Sequence, residues 1–347
     1  MLIAIDASRY GHEQSTGVEK YSYEIIRRIY KLAKKDGHNV RLYVREFSDD
    51  FPKTDQVLIK RKRLWTLVGL SWEIFKHKPD VLFVPSHVLP LIRPKKSVMM
   101  IHDIAFERYP EVYTWKQRKY LRWSTKYAVK YATKIIAPSK FTANELRSVY
   151  SCPKEKIEVI HHGVNENAVP GRHIDDGKYL LFIGRIENKK NLMRLINAFS
   201  SLPLYDFKLV LAGKDGDGAG KIKKPSHERV IFTGYVDENK KATLLKNAYM
   251  FCFVSLYEGF GMPVLEAFKA GVPVLASNIE PLREVGGAAC YYVDPKSEED
   301  IAIGISEMIR DLPMRERMVG MGYERLSGFD WEKSAEKTFQ ILCNRLE

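Results

Sequence analysis

Apolar runs of β-strand length alternate with helix-length amphipathic segments along almost the whole of this 347-residue chain. The strand candidates of the first half are 2–6, 39–45, 81–85, 97–102, 134–138 and 157–161. Those of the second half are 179–183, 207–212, 229–233, 250–255, 272–276 and 289–293. Most are continuously apolar rather than alternating, the pattern of parallel strands covered on both faces. Helical segments between them complete a βαβ arrangement, and it occurs twice. A chain of this length exceeds one ordinary hydrophobic core. Between Asn165 and Lys178, the residues Pro170, Gly171, Asp175, Asp176 and Gly177 supply linker chemistry. After 293 the pattern is purely helical, over about 297–311, 314–326 and 330–346. The expected class is therefore α/β, with two doubly wound, Rossmann-like domains at 1–168 and 169–328 and a closing helical segment at 329–347. In such folds ligands bind beyond the carboxyl ends of the strands, here in a cleft between the domains.

The most informative local stretch is Glu258-Gly259-Phe260-Gly261-Met262-Pro263-Val264-Leu265-Glu266. Two carboxylates bracket a glycine-rich turn, and Pro263 marks the opening of a helix. Small residues bare backbone N–H groups, and a helix N-terminus carries about half a positive charge. Such a turn suits an anion, whereas ionised carboxylates accept hydrogen bonds and suit hydroxyls. Together they point to a ligand carrying both sugar and phosphate.

Three further elements fit that ligand. Gly184-Arg185 follows the strand 179–183, and Lys190-Asn191 comes five residues later at the next helix. Arginine can hold phosphate bidentately while lysine acts as a point charge. Gly17 follows a polar loop (Gly11 to Thr16) and opens a helix from Val18 to Lys35. That arrangement suits a phosphate, but it has neither the Gly-x-Gly-x-x-Gly spacing nor the P-loop ending. His102-Asp103 follows the strand 97–101, where an imidazole can bond a hydroxyl and a neighbouring carboxylate can orient such groups.

In order along the chain, Thr16-Gly17-Val18-Glu19-Lys20, His102-Asp103, Gly184-Arg185 with Lys190-Asn191, and the 258–266 motif resemble the family 4 glycosyltransferases of the GT-B fold. The likeness spans essentially the whole chain. His161-His162-Gly163-Val164-Asn165 stands where that family usually has an Asn-Gly-Val-Asp hinge. Phe329-Asp330-Trp331 precedes a last helix that in this fold crosses back onto the first domain. The resemblance implies transfer of a hexose from a nucleoside diphosphate sugar with retention of configuration, the acceptor docking mainly on the first domain. It gives Arg185 and Lys190 the departing diphosphate and Glu266 the ribose hydroxyls. Glu258, with the amides of Phe260, Gly261 and Met262, holds the donor sugar. His102 lies against the sugar ring, with Asp103 beside it. Gly17 lets the first helix approach the diphosphate, and Gly184 precedes the cationic pair. The implied route is a front-face displacement in which the departing phosphate helps deprotonate the acceptor. No cofactor and no metal are expected, since two fixed cations can do the work of Mg²⁺ and no Asp-x-Asp is positioned for one. The context around His102-Asp103 and Phe106 to Pro110 looks like that of mannosyltransferases, which makes GDP-mannose the first expected donor. UDP-linked glucose, GlcNAc or galactose are the alternatives, with base contacts expected near Gly234-Tyr235-Val236. A sugar-nucleotide epimerase or hydrolase on the same fold is a second reading.

Charge points to a partner of the first half. Residues 1–168 hold 31 Lys+Arg against 18 Asp+Glu, and the remainder holds 25 of each. Lys60-Arg61-Lys62-Arg63 runs into Leu64-Trp65 and a helical stretch to Phe75. There Trp65, Val68, Trp72 and Phe75 read equally as a core stripe or an interfacial anchor. Trp115 to Lys134 carries Lys119, Arg122, Lys126 and Lys130 on one helical face. Anionic headgroups, or the phosphates of a lipid-linked acceptor in cell-surface polysaccharide or lipopolysaccharide biosynthesis, are the expected partner. A non-catalytic nucleic-acid-binding protein is a third reading, but no RNA-binding aromatic signature or helix-turn-helix pattern supports it. Cys152, Cys252, Cys290 and Cys343 form no metal or redox pair and read as reduced thiols. The start Met1-Leu2-Ile3-Ala4-Ile5-Asp6 reads as a strand rather than a leader, and no apolar run approaches the ~18 residues of a span. The expected location is the cytoplasm, at the inner face of the membrane.

Overall fold

The computed structural model describes residues 1–11, 16–164, 178–216 and 228–344. The chain forms two compact units, one of Met1–Glu107, Trp115–Gly163 and Asp330–Glu347, the other of Arg108–Thr114 and Val164–Phe329. The break falls at 163/164, ahead of the expected 168/169, because the Val164 amide already donates to Phe329 O (3.1 Å) in the second unit. The proposed linker residues 165–177 lie outside the described residues. The seven residues 108–114 also go with the second unit, which sequence periodicity gave no reason to expect.

The first unit holds a parallel sheet of β1 (Leu2–Asp6), β2 (Asn39–Val44), β3 (Gln56–Leu58), β4 (Val81–Val84), β5 (Lys96–Met100), β6 (Lys134–Ala137) and β7 (Ile157–Val159). The order is β3-β2-β1-β4-β5-β6-β7, every pair parallel. The expected strands are all present, and β3 is the addition. It is a three-residue edge strand, too short to leave a periodic signal. Ile3, Ile5, Leu82, Phe83, Val98 and Ile136 are fully buried in this sheet. Parallel neighbours need long crossovers, most often helical, and α1 (Gly17–Lys35), α2 (Ser71–His77), α3 (Ala105–Arg108), α4 (Trp115–Tyr131) and α5 (Lys140–Tyr150) serve this unit.

The second unit has β8 (Tyr179–Ile183), β9 (Lys208–Ala212), β10 (Val230–Gly234), β11 (Met250–Phe253), β12 (Val274–Ser277) and β13 (Cys290–Val293), in the parallel order β10-β9-β8-β11-β12-β13. Its helices are α6 (Leu192–Ser200), α7 (Glu238–Lys246), α8 (Met262–Lys269), α9 (Glu280–Gly286), α10 (Glu298–Arg310) and α11 (Leu312–Leu326). Phe182, Phe251 and Phe253 stack across β8 and β11 at 5.8–6.2 Å, and each is fully buried. Burial of each such ring contributes roughly 2 kcal/mol.

Helix α12 (Trp331–Cys343) belongs to the first unit, as the resemblance implied. Asp330 caps it, accepting from the Glu332 amide. Trp331 is buried against Tyr21 of α1, Ser334 Oγ donates to His161 O (2.6 Å), and Arg28 pairs with Glu332 (2.7 Å). Gly163 lies so near the helix that a Cβ there would be 2.3 Å from the Trp331 amide nitrogen. Cys252 and Cys290 are buried in strands as expected, and none of the four cysteines forms a disulfide among the described residues.

Candidate donor site

Both sheets reverse their winding at one point, and in such sheets that point is where ligands bind. In the second unit it lies between β8 and β11. The Gly184-Arg185 turn follows β8 and the Ser255–Glu258 loop follows β11, so the sequence motifs lie at the switch. The backbones there approach closely. Gly213, at the end of β9 with φ +151°, passes so near Gly184 that a Cβ would fall 1.8 Å from its carbonyl oxygen. Arg185 leaves this turn exposed and makes no ion pair among the described residues.

Lys190 ends a 3-10 turn (Asn188–Lys190), one residue short of α6, rather than opening the helix as expected. The helix is delayed because Asn191 adopts φ +62°, and its buried amide donates to Val254 O (3.0 Å) and Pro295 O (2.6 Å). That clamp, with the Leu256 amide donating to Lys189 O (2.8 Å), ties the loop after β8 to the loop after β11. Lys190 Nζ consequently sits 2.6 Å from Glu258 Oε1 and 5.3 Å from the centre of the Phe253 ring. The cation and the carboxylate expected to serve phosphate and sugar are thus one preformed pair.

Gly261 caps α8 at φ +124°, and Met262, ahead of Pro263, is its first residue. The Phe260 ring is buried edge-on against Phe329 (5.8 Å), so only its backbone can face a ligand. Glu266, one turn into α8, receives Lys241 Nζ of α7 at 2.8 Å. Lys241 was not singled out from the sequence, where nothing separates it from its neighbour Lys240. The loop is also held by Tyr109, whose hydroxyl donates to Leu256 O (3.1 Å) and whose ring meets Tyr257 (5.8 Å). Tyr109 lies in the segment 108–114, which belongs to the second unit.

Gly17, His102 and Asp103 lie in the first unit. Thr16 and Glu19 form a reciprocal capping box ahead of Gly17, and residues 12–15 of the preceding loop lie outside the described residues. His102 is buried beside Tyr21 (5.0 Å), His87 (5.4 Å) and His162 (5.5 Å). Its Nε2 lies 3.1 Å from Pro85 O, which can only accept, so the proton is on Nε2 and Nδ1 is an acceptor. Burial first, and His87 next, hold its pKa down to about 3, outweighing nearby Asp103. Asp103 instead accepts from the Ala105 amide (3.0 Å) and begins α3. His102 is therefore a neutral hydrogen-bonding group. An unfolded chain takes up this proton below pH ~6.5 and the folded one does not, so stability falls as pH drops from there toward 3. Between pH 7.5 and 5.0, urea titrations should show the wild type losing about 2 kcal/mol more than His102→Gln. Equal losses would contradict a neutral imidazole.

Two family models match the chain: "Glycosyltransferase Family 4" over residues 15–168 and "Glycosyl transferases group 1" over 164–325. The O-antigen chain mannosyltransferase B of Escherichia coli is 26% identical, covering 93% of this chain and 94% of its own. Among solved structures, WaaG, described as a glycosyltransferase involved in lipopolysaccharide biosynthesis, matches at TM-score 0.74 and 18% identity over 99% of both chains. HepE of Anabaena in complex with UDP-glucose matches at 0.75 and 18%, again over 99% of both. With its two parallel sheets and ordered motifs, the chain belongs to the family 4 glycosyltransferases and has the GT-B fold.

Proposed function

We propose that this glycosyltransferase moves a hexose, with retention of configuration, from a nucleoside diphosphate sugar to a glycan or lipid-linked acceptor. Mannose from GDP-mannose is the favoured donor, and lipopolysaccharide O-chain synthesis the favoured setting. The mannosyltransferase relative aligned over nearly the full length supports that choice. The observation that carries the reading is the second unit's switch point, where an exposed Arg185 with no ion pair among the described residues, the Lys190–Glu258 pair and the N-terminus of α8 occupy adjoining loops. Cleavage of the glycosidic bond builds negative charge on the diphosphate, and fixed cations and helix dipoles stabilise it without reorganising. Lys190 transfers its charge from Glu258 to the diphosphate, leaving Glu258 to accept sugar hydroxyls. Glu266 accepts the ribose hydroxyls. The family resemblance assigns Gly17 to the diphosphate and His102 with Asp103 to the sugar.

The proposal includes independence from metal. The chain has one Asp-x-Asp, Asp215-Gly216-Asp217 after β9, and Asp217 lies outside the described residues. Transfer from GDP-mannose in EDTA should match transfer in Mg²⁺. A metal requirement would overturn this part and direct attention to Asp215. Thermal unfolding with GDP or UDP sugars tests the donor, because a ligand at 100 times its Kd stabilises by about 2.7 kcal/mol. GDP-mannose should shift the transition, whereas a shift confined to UDP sugars would reassign the donor. Consumption without an acceptor would favour a hydrolase, and indifference to every nucleotide would remove the reading.

The first unit supplies the surface for a lipid-linked acceptor at the inner face of the membrane. Among the described residues no helix is long and apolar enough to cross a bilayer. The two readings of the stretch to Phe75 divide within it. Trp65 is buried, donating to Ile59 O (3.1 Å), while Leu64, Val68, Trp72 (58% exposed) and Phe75 (55%) face solvent behind the exposed Lys60–Arg63 run. A π-helical turn over Trp65–Leu70 shifts the register and parts the stripe. Exposed Leu91 and Ile92 continue this face, since the Ile92 amide donates to Ser71 Oγ (3.1 Å) and Arg93 reaches Tyr127 Oη of α4 (2.6 Å). Helix α4 adds exposed Trp115 (70%), Tyr120, Trp123 and Tyr131 among Lys116, Lys119, Lys126 and Lys130. Arg122, expected among the outward cations, is exposed there and also pairs with Glu107 (2.9 Å), as does Arg118 (3.9 Å). Rings able to enter the headgroup layer, ringed by lysines, suit an anionic bilayer surface.

A further inference from the structure

We propose that Lys241 is a positioning residue for nucleotide binding: its ammonium holds the Glu266 carboxylate in the orientation that accepts the donor's ribose hydroxyls. The inference rests on the reading that Glu266 faces the ribose. Lys241 is the fourth residue of α7, after an N-cap at Asp237, and its side chain is only 14% exposed. Its Nζ lies 2.8 Å from Glu266 Oε1 and 3.2 Å from Glu238 Oε1. The two partners differ. Glu238 is three residues away on the same helix and largely solvated, while Glu266 comes from another helix, is 25 residues distant and is mostly covered.

A carboxylate on the second turn of α8 has three side-chain torsions to fix. A ribose diol offers two donors at a set spacing, so affinity depends on the carboxylate plane being set before the nucleotide arrives. The Lys241 ammonium on Oε1 contributes that constraint, and an ionised carboxylate, with about four lone-pair sites, can accept several donors at once. Preorganisation of this kind raises affinity by lowering the ordering cost of binding. An exposed ion pair contributes little to stability, but this one is enclosed, and its geometric effect falls on the part of the ligand that Glu266 touches.

The test compares GDP with 2′,3′-dideoxy-GDP by calorimetry, with UDP and its dideoxy counterpart run in parallel. In Lys241→Met, affinity for the ribonucleotide should fall about tenfold while dideoxynucleotide affinity holds. Lys241→Arg should restore most of the loss, and Glu266→Gln should show the same ribose-selective loss. Equal weakening of both nucleotides in Lys241→Met would reduce Lys241 to a packing role and overturn the proposal. So would no weakening there, if Glu266→Gln still loses ribose selectivity. A Glu266→Gln that binds ribo- and dideoxynucleotides as the wild type does would overturn the ribose reading and this proposal together.

Discussion

Replacing Arg185 with alanine should lower kcat about a thousandfold and leave thermal unfolding unchanged. The size follows from removal of one preorganised charge aimed at a developing anion. The thermal result follows from Arg185 being exposed and without an ion pair among the described residues. Lys190→Ala should lower turnover similarly but with a different signature. Glu258 is 12% exposed and loses the ammonium 2.6 Å away, so a carboxylate stays covered and uncompensated. Breaking an enclosed pair from one side costs about 3 kcal/mol. Lys190→Met/Glu258→Gln should recover most of that stability and none of the turnover. Steady-state kinetics with calorimetry on all three variants separates charge from scaffold, and an Arg185→Ala enzyme running at the wild-type rate would end the leaving-group argument.

Trp72→Ser, Phe75→Ser and Trp123→Ser combined should weaken binding to vesicles containing anionic lipid by more than about a hundredfold, since each ring entering the interface contributes roughly 2 kcal/mol. All three rings are exposed, so folding should survive. Neutralising Lys60 to Arg63 should mainly flatten the dependence on salt, because exposed charges are screened over about 10 Å at 0.1 M. Sedimentation with vesicles of graded anionic content reads both effects. Binding that persists in the triple variant, or that ignores lipid charge, would remove this face from the membrane.

The architecture was legible because a parallel strand buried on both faces writes itself as an unbroken apolar run. Every such run became a strand, and the one strand added to them among the described residues, Gln56–Leu58, is an edge strand too short to carry a period. The loops of the candidate site were legible for another reason. Gly184, Gly213 and Gly261 hold backbone conformations or approaches that side chains oppose, and Gly184 and Gly261 flag the chemistry beside them. What stayed hidden was pairing across distance. Nothing at Lys241 announces Glu266, nothing at Tyr109 announces Leu256, and the helical repeat of α4 shows Arg122 beside its lysines without showing that Glu107 has claimed it. The core-or-anchor ambiguity of Trp65 to Phe75 came from assuming a 3.6-residue period across a π-helical turn.

Helix α12 gives the chain an inverted schedule of completion. Its Trp331, Phe339 and Leu342 are buried and it packs on α1, so the amino-terminal 163 residues alone leave an apolar stripe bare. That stripe stays uncovered on the ribosome while all of residues 164–329 are synthesised, roughly ten to thirty seconds at usual elongation rates. The half that is translated first is thus the half that finishes last, and a fragment cut after Gly163 should be the aggregating one of the two.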